Sequence, residues 1–154
     1  MKEFRNKLIV HGLMKINDKY LVIKRSIIKR GKPNVYPEYW DIPGGSVEDL
    51  ETPGEALIRE VKEEAGLDVV VKNVIAIQDR EKHNQPIYAY KVCKIFMLCE
   101  VEGGVFKENS ETIGFDYFTK DNLPILATEK NNEEQIQMCF DAYKAGENWK
   151  TYFD

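Results

Sequence analysis

The sequence predicts an α/β (α+β) fold in which a mixed β-sheet lies between helices. Segments rich in aliphatic and aromatic residues, typical of strands, recur along most of the chain, whereas two segments show the spacing of amphipathic helices. No repeat or linker divides the 154 residues, so we expect a single domain over residues 1–154. Because a largely buried sheet needs cover on both faces, this content favours an α/β/α sandwich.

Five segments carry the strand pattern. They are residues 7–16, 20–25, 68–79, 90–100 and 113–118. Asn17 and Asp18 form a turn pair between the first two, which predicts a β-hairpin. Residues 26–38 gather cations and prolines and predict a loop, residues 80–83 predict a polar loop, and Gly103–Gly104 predicts a turn.

The first helix is predicted at residues 53–65, and both of its ends are marked. Thr52 can cap the first turn, Pro53 suits the first helical position, and Glu55 completes a capping box. Gly66 follows where the chain needs a left-handed residue to leave the helix. The face expected to pack consists of Leu57, Ile58, Val61 and Ala65.

A second helix is predicted at residues 131–145. Ile136, Cys139 and Phe140 recur at helical spacing, acidic residues come early and Lys144 comes late. The sequence therefore predicts an amphipathic helix close to the end of the chain.

The first helix carries three glutamates on the face opposite its apolar stripe. Like charges three and four residues apart repel each other, so Glu60, Glu63 and Glu64 need compensation. One interpretation is a solvated acidic face, balanced in part by Arg59 and Lys62. The other is a site for a hard divalent cation, which prefers oxygen ligands. The surrounding sequence distinguishes the two.

Residues 45–67 follow a pattern of seven fixed residues and two aliphatic positions, G-x5-E-x7-R-E-U-x-E-E-x-G-U, and every position is met. This pattern defines the Nudix hydrolases, and the chain is identified as a member of that family. The preceding Trp40, Pro43 and Gly44 also resemble the family. The resemblance implies the Nudix α/β/α sandwich with a mixed sheet, and it favours the metal site over the solvated face.

The resemblance also implies roles for individual residues. The implied metal ligands are the carboxylates of Glu60, Glu63 and Glu64 and the carbonyl oxygen of Gly45. They would hold two or three Mg²⁺ or Mn²⁺ ions together with substrate. Glu63 and Glu64 are the implied catalytic glutamates, and Arg59 would orient them. Glu111 is the candidate for an additional ligand or general base, since the family often takes one from outside the signature.

Further residues are similar to the bacterial Nudix group that hydrolyses ADP-ribose or CDP-choline. They are Asp79-Arg80-x-Lys82-His83, Gly103-Gly104, Glu111-Thr112, Tyr117-Phe118, Leu123-Pro124, Gln135-Ile136 and Phe153-Asp154. Members of that group carry an additional N-terminal helical segment, whereas residues 1–5 here lead directly into the first predicted strand. The implied activity is hydrolysis of the pyrophosphate linkage in a nucleoside diphosphate linked to a group X, by attack of water on phosphorus.

Four residues are candidates for binding the phosphates or ribose of a substrate: Arg25, Arg80, Lys82 and His83. The alternative is that they belong to solvated polar loops. His11 lies within the first predicted strand, and a structural role in the sheet is favoured over catalysis there.

Composition limits the other classes of function. The net charge of −4 and the pI near 5.4 argue against broad nucleic-acid binding, so the expected partner is a small nucleotide. Without a long apolar run or a signal peptide, no membrane association is expected and a cytoplasmic location is favoured. Three cysteines without C-x-x-C spacing suggest reduced, mostly buried thiols. The oligomeric state stays open, a homodimer included.

Two alternatives to hydrolysis of a nucleoside diphosphate derivative remain. The first is a house-cleaning enzyme that hydrolyses oxidised or non-canonical nucleoside triphosphates. The second is a non-catalytic nucleotide-binding module, which the intact glutamates disfavour because a pure binder gains nothing from their repulsion. The products separate the two enzymes, since a triphosphate releases pyrophosphate.

Overall fold

The computed structural model describes residues 6–16, 19–29, 31–34, 40–84, 91–109, 112–119, 121–122 and 131–154. Its strands are β1 (Asn6–Ile16), β2 (Lys19–Arg25), β3 (Ile28–Lys29), β4 (Lys32–Pro33), β5 (Trp40–Asp41), β6 (Gly44–Ser46), β7 (Leu67–Asp79), β8 (Lys91–Gly104), β9 (Thr112–Phe118) and β10 (Tyr152–Phe153). Its helices are α1 (Pro53–Ala65), the single turn α2 (Arg80–His83) and α3 (Glu133–Ala145), which a 3-10 turn (Gly146–Asn148) follows.

The main sheet of the described residues is mixed. Its strand order is β10-β7-β8-β1-β2-β5, with β6 paired to β1 and β9 paired to β2. β1 runs parallel to β8, whereas β7 and β8 are antiparallel. β1 and β2 pair as the predicted hairpin, and its turn residues Asn17 and Asp18 lie outside the described residues.

Helices cover both faces of this sheet, as predicted. Neighbouring residues of β8 point to opposite faces, so that Met97 and Cys99 belong to the core under α1, and Phe96 and Leu98 to the core under α3. The α1 core also contains Val10, Met14, Leu57, Val61, Ala65, Leu67 and Val69. The α3 core also contains Leu13, Ile75, Ala76, Ile136, Cys139 and Phe140. The α/β/α sandwich is confirmed.

The ends of α1 are confirmed residue by residue, but one member of its predicted packing face is wrong. Thr52 and Glu55 form the capping box, and Gly66 has a φ of 71°. Ile58, however, is 42% exposed. It lies one residue, or about 100°, from Leu57 and therefore at the margin of the buried stripe.

Three predictions about connecting segments need correction. Residues 80–83 form a helical turn, because the Asp79 side chain accepts the N–H of Glu81 as a cap. Gly103 and Gly104 continue β8 and pair with Asp68 and Leu67 instead of ending the strand. Within residues 26–38, β3 and β4 form a small separate sheet, and residues 30 and 35–39 lie outside the described part.

His11 and the cysteines take structural positions. His11 is buried, and its ring stacks on Phe96 with centroids 5.4 Å apart. All three cysteines are free, and burial raises the pKa of Cys99 and of Cys139 to about 12. Those two thiols are therefore protonated and unreactive near neutral pH. None of the helices in the described part of the chain is long and apolar enough to cross a membrane.

A buried polar network joins Asn131, two residues before α3, to β5 and β8. The ammonium of Lys94 on β8, 2% exposed, donates to Asn131 Oδ1 at 2.6 Å. Asn131 Nδ2 in turn donates to Asp41 Oδ1 at 2.7 Å. Arg25 Nη1 lies 3.6 Å from the other oxygen of Asp41. Buried charges are costly unless they are paired and hydrogen-bonded, so the two hydrogen bonds of Asn131 stabilise both Lys94 and Asp41.

Replacing Asn131 with alanine should therefore destabilise the fold. The variant removes an acceptor from a buried ammonium and a donor from a buried carboxylate, and should lower the free energy of unfolding by about 3 kcal/mol. Urea denaturation measures this, with Asn122→Ala at an exposed position as the matched control, expected within about 0.5 kcal/mol of the parent chain. A loss under about 1 kcal/mol for Asn131→Ala would show that the network contributes little.

Candidate active site

Arg59, in the middle of α1, organises the signature residues through all five of its N–H donors. Nε and Nη2 donate to the two oxygens of Glu51 at 2.8 and 2.9 Å. Nη2 also donates to Ser46 O at 3.0 Å. Nη1 donates to Glu60 Oε1 at 2.9 Å and to Glu63 Oε2 at 3.3 Å. One guanidinium thereby ties the loop after β6 to two carboxylates of the helix.

The electrostatics of this cluster follow from its geometry. The bidentate hydrogen bond from Arg59 lowers the pKa of Glu51 to about 2, and Glu51 raises the pKa of Arg59 in return. The pKa of Glu60 is raised, chiefly because the carboxyl group is buried and also because Glu63 is negatively charged, and Arg59 offsets only part of this. Arg59 thus compensates the charge of the Glu60 carboxylate only in part, and further positive charge nearby would stabilise its ionised form.

β6 passes so close to α1 that it must carry glycine. A Cβ on Gly45 would lie 2.4 Å from the carboxyl carbon of Glu60, and a Cβ on Gly44 would lie 2.0 Å from Val10 O. The Gly44 N–H donates to Glu64 Oε2 at 3.3 Å. The glycines therefore let the backbone rest directly on the glutamates.

Glu64 differs from the sequence prediction in its exposure. It was expected on the open face with Glu60 and Glu63, but it is 6% exposed. The reason is β6, whose backbone covers it and donates to it. Glu63 keeps about half of its side chain exposed. Glu60 and Glu64 thus lie against β6, whereas Glu63 faces solvent.

A cleft of about 520 Å³ lies beside the C-terminal turn of α1. Glu63 and Gly66 line one wall, and Val105, Lys107 and Asn109 line the other. Asn109 Nδ2 donates to the backbone carbonyls of both Glu63 and Glu64, at 2.9 and 3.0 Å. The cleft therefore opens next to the most exposed glutamate of the cluster.

The oxygen atoms suit a hard divalent ion, although the side chains are held by Arg59. Among the described residues, no three His, Cys, Asp or Glu side chains converge in an arrangement ready for an ion. Arg59 lies between Glu60 and Glu63 and binds one oxygen of each. The donor set is entirely carboxylate and carbonyl oxygen, the chemistry that Mg²⁺ and Mn²⁺ prefer. The residues fit such an ion if Glu60 and Glu63 turn from Arg59 towards it.

The predicted substrate-binding residues lie in two other places. Arg25 on β2 binds Asn34 Oδ1 at 3.0 Å and lies beside Asp41. On the α2 turn Arg80 is buried, Lys82 is exposed, and His83 Nε2 lies 2.5 Å from Asp154 Oδ2. The strands β8 and β1 separate β7, which leads into that turn, from β6. None of these contacts tests whether the four residues bind substrate, so their substrate-binding roles stay predictions.

The remaining catalytic candidate, Glu111, lies outside the described residues. Its described neighbours are fixed, because Asn109 N donates to Thr112 O and Thr112 N donates to Asn109 Oδ1, each at 3.1 Å. Asn109 was not among the functional residues predicted from the sequence. Its position two residues before Glu111 was the only available signal, and that signal says nothing about contacts with α1.

Residues 7–139 match the model of the NUDIX domain, and the chain belongs to this family. Enzymes of the family generally need divalent metal ions. A crystal structure of an ADP-ribose pyrophosphatase from Streptococcus suis is similar, with 36% identity, a TM-score of 0.82, and coverage of 96% of this chain and 98% of that one. A UDP-X diphosphatase of 23% identity has the same fold, with a TM-score of 0.82 over 100% of this chain and 70% of that one.

Curated relatives are longer than this chain. The ADP-ribose pyrophosphatase of Methanocaldococcus jannaschii is 34% identical over 121 residues, which are 77% of this chain and 64% of that protein. YjhB of Bacillus subtilis is 34% identical over 119 residues, 77% of this chain and 57% of that protein. The chain thus spans somewhat under two thirds of the length of these two relatives.

The contact between Gly45 and Glu60 gives a direct test of the site geometry. Gly45→Ala should lower the free energy of unfolding by about 1–3 kcal/mol, since the new methyl group overlaps the Glu60 carboxylate. Gly54→Ala is the matched control, because its Cβ would meet Val71 at 4.0 Å, an ordinary contact, and alanine suits a helix better than glycine. Urea denaturation of both variants measures the difference. Equal stability of the two variants would contradict the close approach.

Proposed function

We propose that the chain is a divalent-metal-dependent hydrolase that cleaves the pyrophosphate linkage of a nucleoside diphosphate linked to a group X. The observation that carries the proposal is the cluster in which Arg59 and β6 hold Glu60, Glu63 and Glu64 together beside an open cleft. Such a cluster is unfavourable by itself and becomes favourable when cations join it. The identity of 34–36% to proteins named ADP-ribose pyrophosphatase supports ADP-ribose as the type of substrate, and CDP-choline stays the second candidate that the sequence resemblance implies.

Glu60, Glu63 and Glu64 would hold two or three Mg²⁺ or Mn²⁺ ions, with the carbonyl of Gly45 as a further ligand. When bound, the ions would neutralise the diphosphate and lower the pKa of a water molecule. Arg59 would stay beside the carboxylates when Glu60 and Glu63 turn from it towards the ions, since its hydrogen bonds to Glu51 and Ser46 are retained. The low exposure of Glu64 would limit competing water around the reacting phosphate.

The general base is proposed to be Glu111. It follows Asn109 in a segment whose two described flanks are hydrogen-bonded to each other and, through Asn109, to the end of α1. A base must come within hydrogen-bonding reach of the attacking water, and the candidate rests on the place of Glu111 in the sequence between Asn109 and Thr112. Arg25, Lys82 and His83, with the buried Arg80, remain candidates for contacts to substrate phosphates or ribose.

Product analysis tests the proposed reaction. The chain is incubated with ADP-ribose, CDP-choline, other nucleoside diphosphate derivatives and nucleoside triphosphates, with Mg²⁺ or Mn²⁺, and the phosphate products are separated. We expect a nucleoside monophosphate and the phosphate of X from the diphosphate derivatives. Pyrophosphate released from triphosphates alone would favour the house-cleaning alternative. Tight nucleotide binding without any product would favour a non-catalytic module.

Replacing Glu64 with glutamine should reduce turnover by about two orders of magnitude or more while the domain still folds. The amide keeps an oxygen that can accept the Gly44 N–H but loses the negative charge that an ion requires. Steady-state kinetics checks this, with Glu102→Gln on the exposed side of β8 as the control of equal charge change. Wild-type turnover in Glu64→Gln would remove this residue from the mechanism.

Divalent ions should stabilise the fold, because they relieve repulsion in the native state. At an ion concentration of 100 times the dissociation constant, the gain is about 2.7 kcal/mol, or a rise of roughly 5–10 °C in the thermal midpoint. Calorimetry with increasing Mn²⁺ and a saturating nucleotide measures this rise, and Glu60→Gln should reduce it. A midpoint that is the same with and without Mn²⁺ would contradict the proposed ion site.

A further inference from the structure

Among the hydrogen bonds of the described residues, one side chain joins the far end of the second wall of the cleft to the first wall. Residues 105–109 leave β8 and pass along the C-terminal turn of α1. At the near end the contact is direct, since a Cβ on Gly66 would lie 2.5 Å from Val105 O. At the far end Asn109 alone, among the hydrogen bonds of the described residues, links this segment to the carbonyls of Glu63 and Glu64.

The two carbonyls that Asn109 binds are ones that a helix cannot satisfy by itself. The last C=O groups of an α-helix have no partner within the helix. Gly66 N donates to Lys62 O, which leaves the carbonyls of Glu63 and Glu64 to be satisfied from outside. Asn109 Nδ2 reaches both, so one amide group completes the C-terminal turn of α1.

The same amide also fixes its own segment. Asn109 Oδ1 accepts the N–H of Thr112, and Asn109 N donates to Thr112 O. Thr112 is fully buried at the start of β9, where it pairs with Arg25 of β2. Asn109 therefore uses both ends of its side chain to connect the sheet, through Thr112, with the end of α1. Neither alanine nor aspartate can make both connections.

We propose that Asn109 is a positioning residue, which holds the last turn of α1 and the facing segment at a fixed separation and so sets the placement of the Glu63 and Glu64 carboxylates. The proposal rests on the proposed function, in which these two carboxylates bind ions and serve catalysis. A displacement of about 1 Å in such groups can reduce turnover about 100-fold. Contacts that bind the nucleotide away from the glutamates are much less sensitive to this displacement.

Kinetics of three variants test the proposal. Asn109→Ala should reduce kcat by about 10- to 100-fold at saturating metal, with KM changed by less than about threefold. Asn109→Gln keeps an amide and should recover part of the loss. Asn109→Asp keeps the acceptor for Thr112 N but loses the donor to α1, and should resemble Asn109→Ala. Asn73→Asp introduces the same charge on β7, where the side-chain oxygen accepts the N–H of Val74 and an aspartate can do the same, and should leave kcat unchanged.

A second readout does not require catalysis. Amide hydrogen exchange of residues 62–66 should be faster in Asn109→Ala, while that of residues 56–60 in the middle of α1 stays as in the parent chain. This experiment keeps the test informative if the parent chain hydrolyses none of the nucleotides, an outcome that would reject the proposed function alone.

Three results would overturn the inference. One is a kcat of Asn109→Ala within about threefold of the parent chain. Another is a loss of activity that follows the loss of folded protein and disappears on cooling, which would indicate a purely structural role. The third is unchanged hydrogen exchange at residues 62–66.

Discussion

The interaction on which the site depends is the set of five hydrogen bonds made by the Arg59 guanidinium. They bind Ser46 at the end of β6 and Glu51 of the following loop on one side, and Glu60 and Glu63 of α1 on the other. Without this positive charge, three carboxylates on one helix face would repel each other and the loop after β6 would have no anchor. The charge of Arg59 lets the acidic helix fold before any ion binds. Its hydrogen bonds to Glu51 would keep it in the same place after ions bind.

The close approach of β6 to α1 adds a second constraint. Because Gly44 and Gly45 lack side chains, the strand lies against Glu60 and donates a backbone hydrogen bond to Glu64. The burial that results raises the pKa of Glu60, so its ionised form needs additional positive charge nearby. The same contact that makes the cluster unfavourable alone thus makes it suited to a divalent cation. The Lys94–Asn131–Asp41 network holds β5, the strand that precedes β6 in the chain.

Local features were predictable from the sequence, and contacts between distant segments were not. Thr52, Glu55 and Gly66 define α1 within its own residues, and both of its ends were confirmed. The sandwich followed from the strand and helix patterns. The burial of Glu64 depends on its contact with β6, 20 residues earlier, which periodicity does not encode. The helical turn after β7 was missed although its cap is local, because a single turn is too short to show a periodic pattern. The strand β10 pairs with β7 from 76 residues further along the chain, and the role of Asn109 is visible only in three dimensions.

The central claim is that the Arg59-held glutamates are a site for divalent ions on a diphosphate substrate. Electron paramagnetic resonance of Mn²⁺ tests it most directly, with α,β-methylene ADP present as a diphosphate that cannot be cleaved. We expect the parent chain to remove two or three Mn²⁺ ions per molecule from solution, and Glu63→Gln to bind fewer of them with lower affinity. Equal binding by the two proteins, or no binding by the parent chain, would show that these glutamates are not the ion site.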